Sequence, residues 1–591
     1  MDDARTNQAP ASPPSPAPFA PLAENQRIEA LDVVRGFALI GIFLMNIEWF
    51  NRPFAAFNDG IPRDATGLDW LANWFVNYFV AGKFWTIFSL LFGMGFAVML
   101  VRAEKAGREF KKVYLRRILA LGVFGALHYI FLWEGDILFS YAVGALGLMI
   151  VLYGRTWPIL IGALLACALG FLANAMFAVM TGLLLIGLLA IYLRSPKKVF
   201  GIPLFSFLLL LIGSLISIGA VVFWLLPDGP TEPRLPMSVF GPLLFFTGWM
   251  SWKYYEPAEK RSLRMAVAIY VFAGLAMTLG PLVQHFSPDP TVAPPGSELK
   301  PAVTAAEPAS AVALATPAAS PVQAAASMAK AASAPAKPKT KAEKAAEAKA
   351  EKEKRLKEGA EKRVSETKLF SSGSYADIVE RRAGLFPEKA AGDAGFAILL
   401  VGMFLLGSWF VRSGVMENTE RHLPLFRKMA LWGLPVGIGL GLSTCFIAMS
   451  HTPGNQYDGW GIAHGLRMLG NLPACLGYVG MVVLMLHSKT FGGTVKWLAA
   501  PGRMALTNYL LQSLICTLYF YGYGLGHWGM SRSVQVLFVV VVYAGQIVFS
   551  HWWLSKFRYG PMEWLWRGFT YRQVPPLRIG SGSTPSAASA A

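Results

Sequence analysis

Apolar residues in this chain come in continuous runs rather than in the stripes of a water-soluble helix. The runs lie near residues 33–50, 84–101, 114–133, 137–153, 158–174 and 177–193, then 204–226, 237–251 and 265–284. After a long polar interruption they resume near 394–411, 429–449, 468–487, 503–521 and 534–553. About twenty apolar residues in a helix span the hydrocarbon of a bilayer, and only a helix satisfies its own backbone there. The pattern predicts an all-α fold, a polytopic integral membrane bundle of about fourteen transmembrane helices with the lipid bilayer as its first partner.

Composition agrees: of 591 residues 54% are hydrophobic and 15% charged, with mean hydropathy +0.45. The placement of charge then sets the expected orientation. Seven cations from Arg102 to Arg117 lie between the second and third runs, which marks that side as cytoplasmic. Alternating from there puts Arg155, Arg194, Lys253, Arg412, Lys489 and Lys556, with their basic neighbours, on the same side. The opposite loops Leu226–Pro236 and Ser450–Trp460 are nearly free of Lys and Arg. Both termini are therefore expected in the cytoplasm. The first outer loop fits less well, since it carries Arg52, Arg63 and Lys83. This placement accounts for the net charge of +18 without nucleic acid, because the cations flank apolar runs instead of covering an amphipathic face.

Five regions follow. Residues 1–26 are rich in Pro and Ala, lack a signal peptide's basic start, and read as a disordered cytoplasmic tail. Residues 27–284 form an N-terminal membrane region of about nine helices. Residues 285–372 are a low-complexity insertion, expected on the far side, and 373–573 a C-terminal membrane region of about five helices. Residues 574–591 are a second disordered cytoplasmic tail. Within the insertion, a Pro/Ala/Ser coil precedes the Ala/Lys/Glu run Lys341–Arg363, for which an exposed single helix and disorder are both open. It is either a charged spacer or a tolerated insertion. Cys167, Cys445, Cys475 and Cys516 are scattered through apolar runs, with no zinc spacing and no disulfide framework. No metal and no tightly bound cofactor is expected.

Polar side chains inside a membrane are costly and therefore candidate sites. Asp32 lies one turn below Arg35, and Asn46 falls eleven positions beyond Arg35 on nearly the same helix face. Asp32 and Arg35 are either a site or an interfacial anchor. A second cluster combines Arg116, Arg117 and His128 with Glu134 and Asp136; an uncharged imidazole there can act as a general base oriented by a carboxylate, or simply pack. In the third, Asn508 and Gln512 stand one above the other and either bind substrate or hydrogen-bond neighbouring helices. Gly433-x-x-x-Gly437-x-x-x-Gly441 reads as a stripe for close helix contact, and His464 with Arg467 as a weaker candidate just outside a span.

These motifs resemble the YeiB-like bacterial membrane proteins (domain of unknown function 418). The resemblance rests on Arg27…Leu31-Asp32-Val33-Val34-Arg35-Gly36, on Gly82-Lys83-Phe84…Phe92-Gly93 and on His128…Gly135-Asp136-Ile137-Leu138…Tyr141. It continues through Gly373-Ser374-Tyr375, the Gly502–Ser513 run and Gly560-Pro561-Met562-Glu563-Trp564. The helical core of that family is similar to the transmembrane acyltransferases, which implies transfer of an acyl group from cytoplasmic acyl-CoA to a sugar or lipid acceptor across a bacterial inner membrane, with the insertion periplasmic. Those relatives carry a catalytic His at the position of Asn46, or in the loop after the first helix; residues 51–83 hold no His.

On that resemblance the expected roles are acid–base catalysis by His128 with Asp136, polarisation of the acyl carbonyl by Asn46 and Asn508, and substrate binding by Arg35, Asp32, Arg116, Arg117, Asn508 and Gln512. The alternatives are a transporter or flippase of a small amphipathic metabolite, and a non-catalytic membrane scaffold.

Overall fold

The computed structural model describes residues 27–57, 64–107, 109–154, 174–226, 233–286, 341–448 and 458–579, with 60, 62 and 451 besides. The expected run at 158–174, the N-terminal tail and the Pro/Ala/Ser part of the insertion lie almost wholly outside these residues. Within them, every apolar run of the sequence falls on a helix. The first half gives α1 (Glu29–Asn46), α2 (Gly67–Phe75), α3 (Lys83–Lys105), α4 (Phe110–Leu127) and α5 (Leu138–Tyr153). Next come α6 (Asn174–Arg194), α7 (Leu204–Leu225), α8 (Arg234–Lys253) and α9 (Arg261–His285). The second half gives α10 (Lys341–Ser372), α11 (Tyr375–Arg412), α12 (Leu423–Lys428), α13 (Leu434–Ser443) and α14 (Trp460–Leu486). It closes with α15 (Ala505–Phe520), α16 (Arg532–Lys556) and α17 (Pro561–Tyr571). Among the described residues, nine helical stretches are long and apolar enough to cross a membrane.

Helix α11 is the centre of this assembly. From Leu399 to Leu406 every side chain is buried, so the helix is apolar all round and packs against α3, α5, α6 and α9. Glycine lets α3 and α11 touch: a Cβ on Gly93 would lie 2.3 Å from the Phe404 carbonyl oxygen, and one on Gly407 2.1 Å from that of Leu90. The glycine stripe does the same for α13 and α14, where a Cβ on Gly437 would meet Ala474 N at 2.3 Å. Peripheral helices show the opposite pattern. Leu211, Leu215, Ile218 and Trp224 of α7, and Leu537, Val541 and Val548 of α16, are exposed, a surface that lipid covers and water does not.

Three stretches differ from expectation. The first outer loop contains α2 and a π turn, Val76–Val80; Asp69, Asn73 and Asn77 interrupt its hydropathy but the apolar spacing of Trp70, Trp74 and Phe75 is helical. Helix α11 begins at Tyr375, nineteen residues before the apolar run, because Ser374 and Asp377 form a capping box there. The Ala/Lys/Glu run is helical and continues to Ser372. By internal contacts the chain divides into a unit of residues up to His285 and from Arg363 on, and a second unit, Phe286–Lys362. Residues 363–372 thus belong with the membrane helices: Phe370 is buried and stacks on Tyr521 at 5.1 Å.

Candidate functional site

A cavity of about 960 Å³ opens among α1, α3, α4, α15 and α17. Seven basic side chains and three acidic ones line it. The cations come from the ends of elements that carry basic loops: Arg27 and Arg35, Arg102 and Lys105, Arg117, Arg503 and Arg567. Farther along the same helices the lining turns apolar, at Ile42, Phe88, Leu91, Phe92 and Leu121. Asp32 and Ile42 are ten residues apart on α1, so the change from charged to apolar takes roughly 15 Å. One end suits phosphates or carboxylates and the other a hydrocarbon chain.

Close backbone contact shapes the charged end. Gly36 meets the short helix Ala499–Arg503, where its Cβ would lie 1.9 Å from the Leu498 carbonyl oxygen; a Cβ on Gly502 would lie 1.8 Å from that of Asp32. Helical spacing on α1 sets the Arg35 guanidinium on Asp32 Oδ1 at 2.8 Å, and the close contact adds the Gly502 carbonyl at 3.3 Å. Arg117 stacks over the Trp566 ring, 3.7 Å from its centroid, and Trp566 Nε1 donates to the Arg117 carbonyl at 3.0 Å. Helix α17 is itself fixed by Glu563, which accepts from Leu506 N at 2.7 Å, Thr507 N at 3.1 Å and Thr507 Oγ1 at 2.6 Å, capping α15. Burial pushes the Glu563 carboxyl above the ordinary carboxylate range, against the pull of those hydrogen bonds.

Beyond the apolar end lies a three-residue hydrogen-bonded chain. His128 opens a π turn, His128–Leu132, that follows α4. Its Nδ1 is 2.8 Å from Asp136 Oδ1 and its Nε2 2.8 Å from Ser513 Oγ. Asp136 also caps α5, accepting from Leu138 N at 3.1 Å and Phe139 N at 2.7 Å. Since the carboxylate accepts, Nδ1 donates and Nε2 is left to accept the Ser513 hydroxyl proton. Gly125 makes the approach of α4 to α5 feasible, since a Cβ there would fall 2.2 Å from Phe139 N. All three residues are buried: His128 is 2%, Asp136 5% and Ser513 1% exposed. This is the hydroxyl–imidazole–carboxylate order of a general-base relay. None of the three lines the cavity, but Tyr509 does, and its ring centroid is 5.1 Å from that of His128.

The other expected residues fall as follows. Arg116 and Asn46 are half-buried and outside the cavity lining; Asn46 ends α1, one turn beyond Ile42. Asn508 and Gln512 turn toward α16: Asn508 Nδ2 donates to Ser550 Oγ at 3.0 Å, and Gln512 Nε2 to Gln546 Oε1 at 2.9 Å. His464 and Arg467 sit within α14, which starts eight residues before the apolar run, with 3.0 Å between them. Ser513, Arg503, Arg567 and Glu563 escaped selection from the sequence. Ser513 carried one usable signal, its position a turn beyond Tyr509 in a motif already singled out.

Residues 410–573, with α15, α16 and α17 among them, match the family model described as "Protein of unknown function (DUF418)". Over 573 residues the chain is 26% identical to the uncharacterized protein YxaH of Bacillus subtilis (strain 168), covering 94% of this chain and 97% of the relative. It is 34% identical over 207 residues to the uncharacterized protein YeiB of Escherichia coli (strain K12), 34% of this chain and 52% of that one. The chain is similar to the YeiB-like DUF418 proteins, and its residues 410–573 carry the family's segment. A 126-residue stretch is also 38% identical to an uncharacterized 39.9 kDa protein in the amylase 3' region of Bacillus acidopullulyticus, 21% of this chain and 33% of the relative. No solved structure matches the chain. The segment matched by the family model supplies Ser513 and Glu563, and the part of the chain before it supplies His128, Asp136, Arg35 and Arg117.

Proposed function

We propose that this protein holds an acyl-CoA-like donor in the cavity and transfers its acyl group to a sugar or lipid hydroxyl. The observation that carries this is the cavity's gradient, cationic at one end and hydrocarbon-lined at the other, ending on the Tyr509 wall of His128. Arg35, Arg117, Arg503 and Arg567 would neutralise the donor's phosphates, entering from the cytoplasm, while Phe88, Leu91 and Phe92 cover its chain. The hydroxyl on His128 Nε2 is that of Ser513, so Ser513 is the nucleophile of this scheme. Its oxygen attacks the thioester carbonyl, its proton passes to Nε2, the carbon–sulfur bond breaks, and the thiol leaves with that proton. The acceptor hydroxyl then takes the acyl group by the reverse path, restoring Ser513. Asp136 holds the imidazole tautomer throughout. Tyr509 must turn aside for the donor to reach Ser513.

The test is intact-mass analysis of purified protein after palmitoyl-CoA or acetyl-CoA, with lipid and glycan mass spectrometry of cells with and without the gene. An acyl increment on wild type, absent in Ser513→Ala and His128→Ala, is expected. Stabilisation by acyl-CoA with no adduct and no acyl change in cells would refute the chemistry.

A second reading is favoured by how closed the relay is. With no member on the cavity surface, the Ser513–His128–Asp136 chain can serve as a lock among α4, α5 and α15 in a transporter of amphipathic anions. Counterflow of a labelled acyl anion in proteoliposomes, undiminished in Ser513→Ala, would select it.

A further inference from the structure

Beside the acyl-donor cavity lies a second, smaller one of about 430 Å³, between the start of α1 and the ends of α3, α11 and α14. Arg27, Ile28, Arg102 and Glu417 line both. Two of these four are arginines, whose long side chains and planar forks can hold a phosphate placed between the two spaces. The smaller chamber is open to water: the Lys496 and Glu29 side chains in its lining are 54% and 55% exposed. Their charged ends stand 3.9 Å apart, an exposed and loose pair that holds little energy and can part for a ligand.

The lining of this chamber combines three kinds of group. Lys496 is a cation that the larger cavity does not share. Ile28, Met416 and Leu486 supply aliphatic surface that can cover the faces of a flat ring. Glu417 supplies a carboxylate, and the Thr419 hydroxyl lies 2.9 Å from His487 Nε2. A bare phosphate does not suit a space lined by two carboxylates, Glu29 and Glu417. An ionised carboxylate only accepts hydrogen bonds, so the mixture suits a ligand that joins an anion to a ring bearing an amino group. Taken in order, the two spaces give a polar chamber, a shared pair of arginines, a cationic cavity mouth and an apolar interior. A nucleoside, a diphosphate and a chain ending in a thioester have the same order.

We propose that the smaller chamber binds the adenosine 3′-phosphate end of a CoA donor whose chain lies in the larger cavity, a reading that rests on acyl-CoA as the donor. Lys496 meets the 3′-phosphate, Glu417 accepts from the adenine amino group, and Ile28, Met416 and Leu486 cover the ring. The diphosphate passes Arg27 and Arg102 to reach the arginines of the cavity mouth. An acylated phospholipid has a headgroup but no purine to place beyond those two arginines, so the second chamber favours a nucleotide-linked donor over a lipid one.

The test is calorimetric titration of the full-length protein in detergent with adenosine 3′,5′-bisphosphate, palmitoyl-CoA and S-palmitoyl-pantetheine, which keeps the thioester and lacks the nucleotide. Wild type is compared with Lys496→Glu, which reverses the charge in the chamber, and Thr419→Trp, which fills it. Lys496 is exposed and Thr419 half-buried, so both variants should keep the wild-type Tm. Wild type should bind the bisphosphate and should hold palmitoyl-CoA more tightly than the pantetheine thioester. Each variant should weaken the bisphosphate and palmitoyl-CoA by about tenfold, the loss of one contact to a charged group, and leave the pantetheine thioester unchanged. Failure of wild type to bind the bisphosphate, or equal binding in wild type and both variants, overturns the proposal. If the pantetheine thioester still binds in that case, the acyl-donor cavity stands without the chamber. Bisphosphate binding sensitive to both variants, with no binding of either thioester, would keep the chamber as a nucleotide site and sink the acyl-donor reading instead.

Discussion

Removing the carboxylate of Asp136 should reveal whether the His128 bond is a strong hydrogen bond to a charged acceptor or an ordinary interhelical contact. The substitution Asp136→Ala deletes three hydrogen bonds: Leu138 N at 3.1 Å, Phe139 N at 2.7 Å and His128 Nδ1 at 2.8 Å. The two backbone donors amount to loss of a helix cap, about 1 kcal/mol. Leaving the buried Nδ1–H of the neutral imidazole unsatisfied costs about 1–3 kcal/mol, so the single variant should lose roughly 2–4 kcal/mol in all. A cycle with His128→Ala isolates the pair, because the cap loss occurs in both arms that lack Asp136 and cancels. A hydrogen bond to a charged group contributes about 1.5–3 kcal/mol, whereas interhelical hydrogen bonds in membrane proteins average about 0.6 kcal/mol. The assay is reversible unfolding in mixed micelles, followed by fluorescence; Trp133, stacked on Phe50 at 4.1 Å and beside the His128 ring, reports locally. A coupling above about 1.5 kcal/mol is expected. A value at or below about 0.6 kcal/mol would refute the charged relay and leave packing as its role.

Three further outcomes follow from the cavity. Gly502→Ala should lower Tm and weaken acyl-CoA binding, since its Cβ would fall 1.8 Å from the Asp32 carbonyl oxygen; overpacking of this kind costs about 1–3 kcal/mol, while Gly568→Ala, with nothing within 4 Å, should leave both unchanged or raise Tm. Arg117→Gln should weaken palmitoyl-CoA binding in microscale titration at low salt and Arg116→Gln should not, because only Arg117 lines the cavity. Burial raises the Glu563 carboxyl, so the folded state favours its proton. The stability this group contributes is full below its ordinary value of 4.5 and is lost as pH rises through the raised one, so the Tm of Glu563→Gln relative to wild type should climb over that interval; a flat difference would contradict it.

The helices were largely legible from hydropathy because lipid imposes one rule, an internally bonded backbone beneath a continuous apolar coat. Errors arose where a second rule competed. Helix α2 and the π turn after it carry Asp69, Asn73 and Asn77, which lower their hydropathy, yet these are satisfied at once by neighbours: Asn73 Nδ2 bonds the Asp69 carbonyl at 3.0 Å, and Asp69 accepts from Ser533 N at 2.8 Å. The first half of α11 is polar for the same reason, with Lys389 Nζ on Asp393 Oδ2 at 2.5 Å and on Ser140 Oγ at 2.9 Å. The misfit of the first outer loop also had a local cause. Arg52 pairs with Glu48 at 2.5 Å and Lys83 is buried, so two of its three cations were never free loop charges; Arg63 lies outside the described residues.

The candidate site was legible only as far as sequence neighbours reach. His128 and Asp136 are eight residues apart across one helix–turn–helix corner, close enough for the pairing to be proposed from spacing. Ser513 is 385 residues from His128, and nothing in its own motif says which helix it faces. Adjacent residues on α15 differ by about 100° in direction, enough to separate two functions. Gln512 turns to Gln546 of α16 and ties two helices together, while Ser513, the next residue, turns to the imidazole. An amide ladder at Asn508 and Gln512 is the louder signal in the sequence, because two long polar side chains at helical spacing are rarer in a membrane than a serine. Serine hides more easily, since in a helix it can satisfy its hydroxyl on the preceding turn, as Ser513 does weakly with the Tyr509 carbonyl at 3.4 Å. Its bond to His128 at 2.8 Å is the shorter of the two, and that difference in length gives the hydroxyl a direction no periodicity could supply.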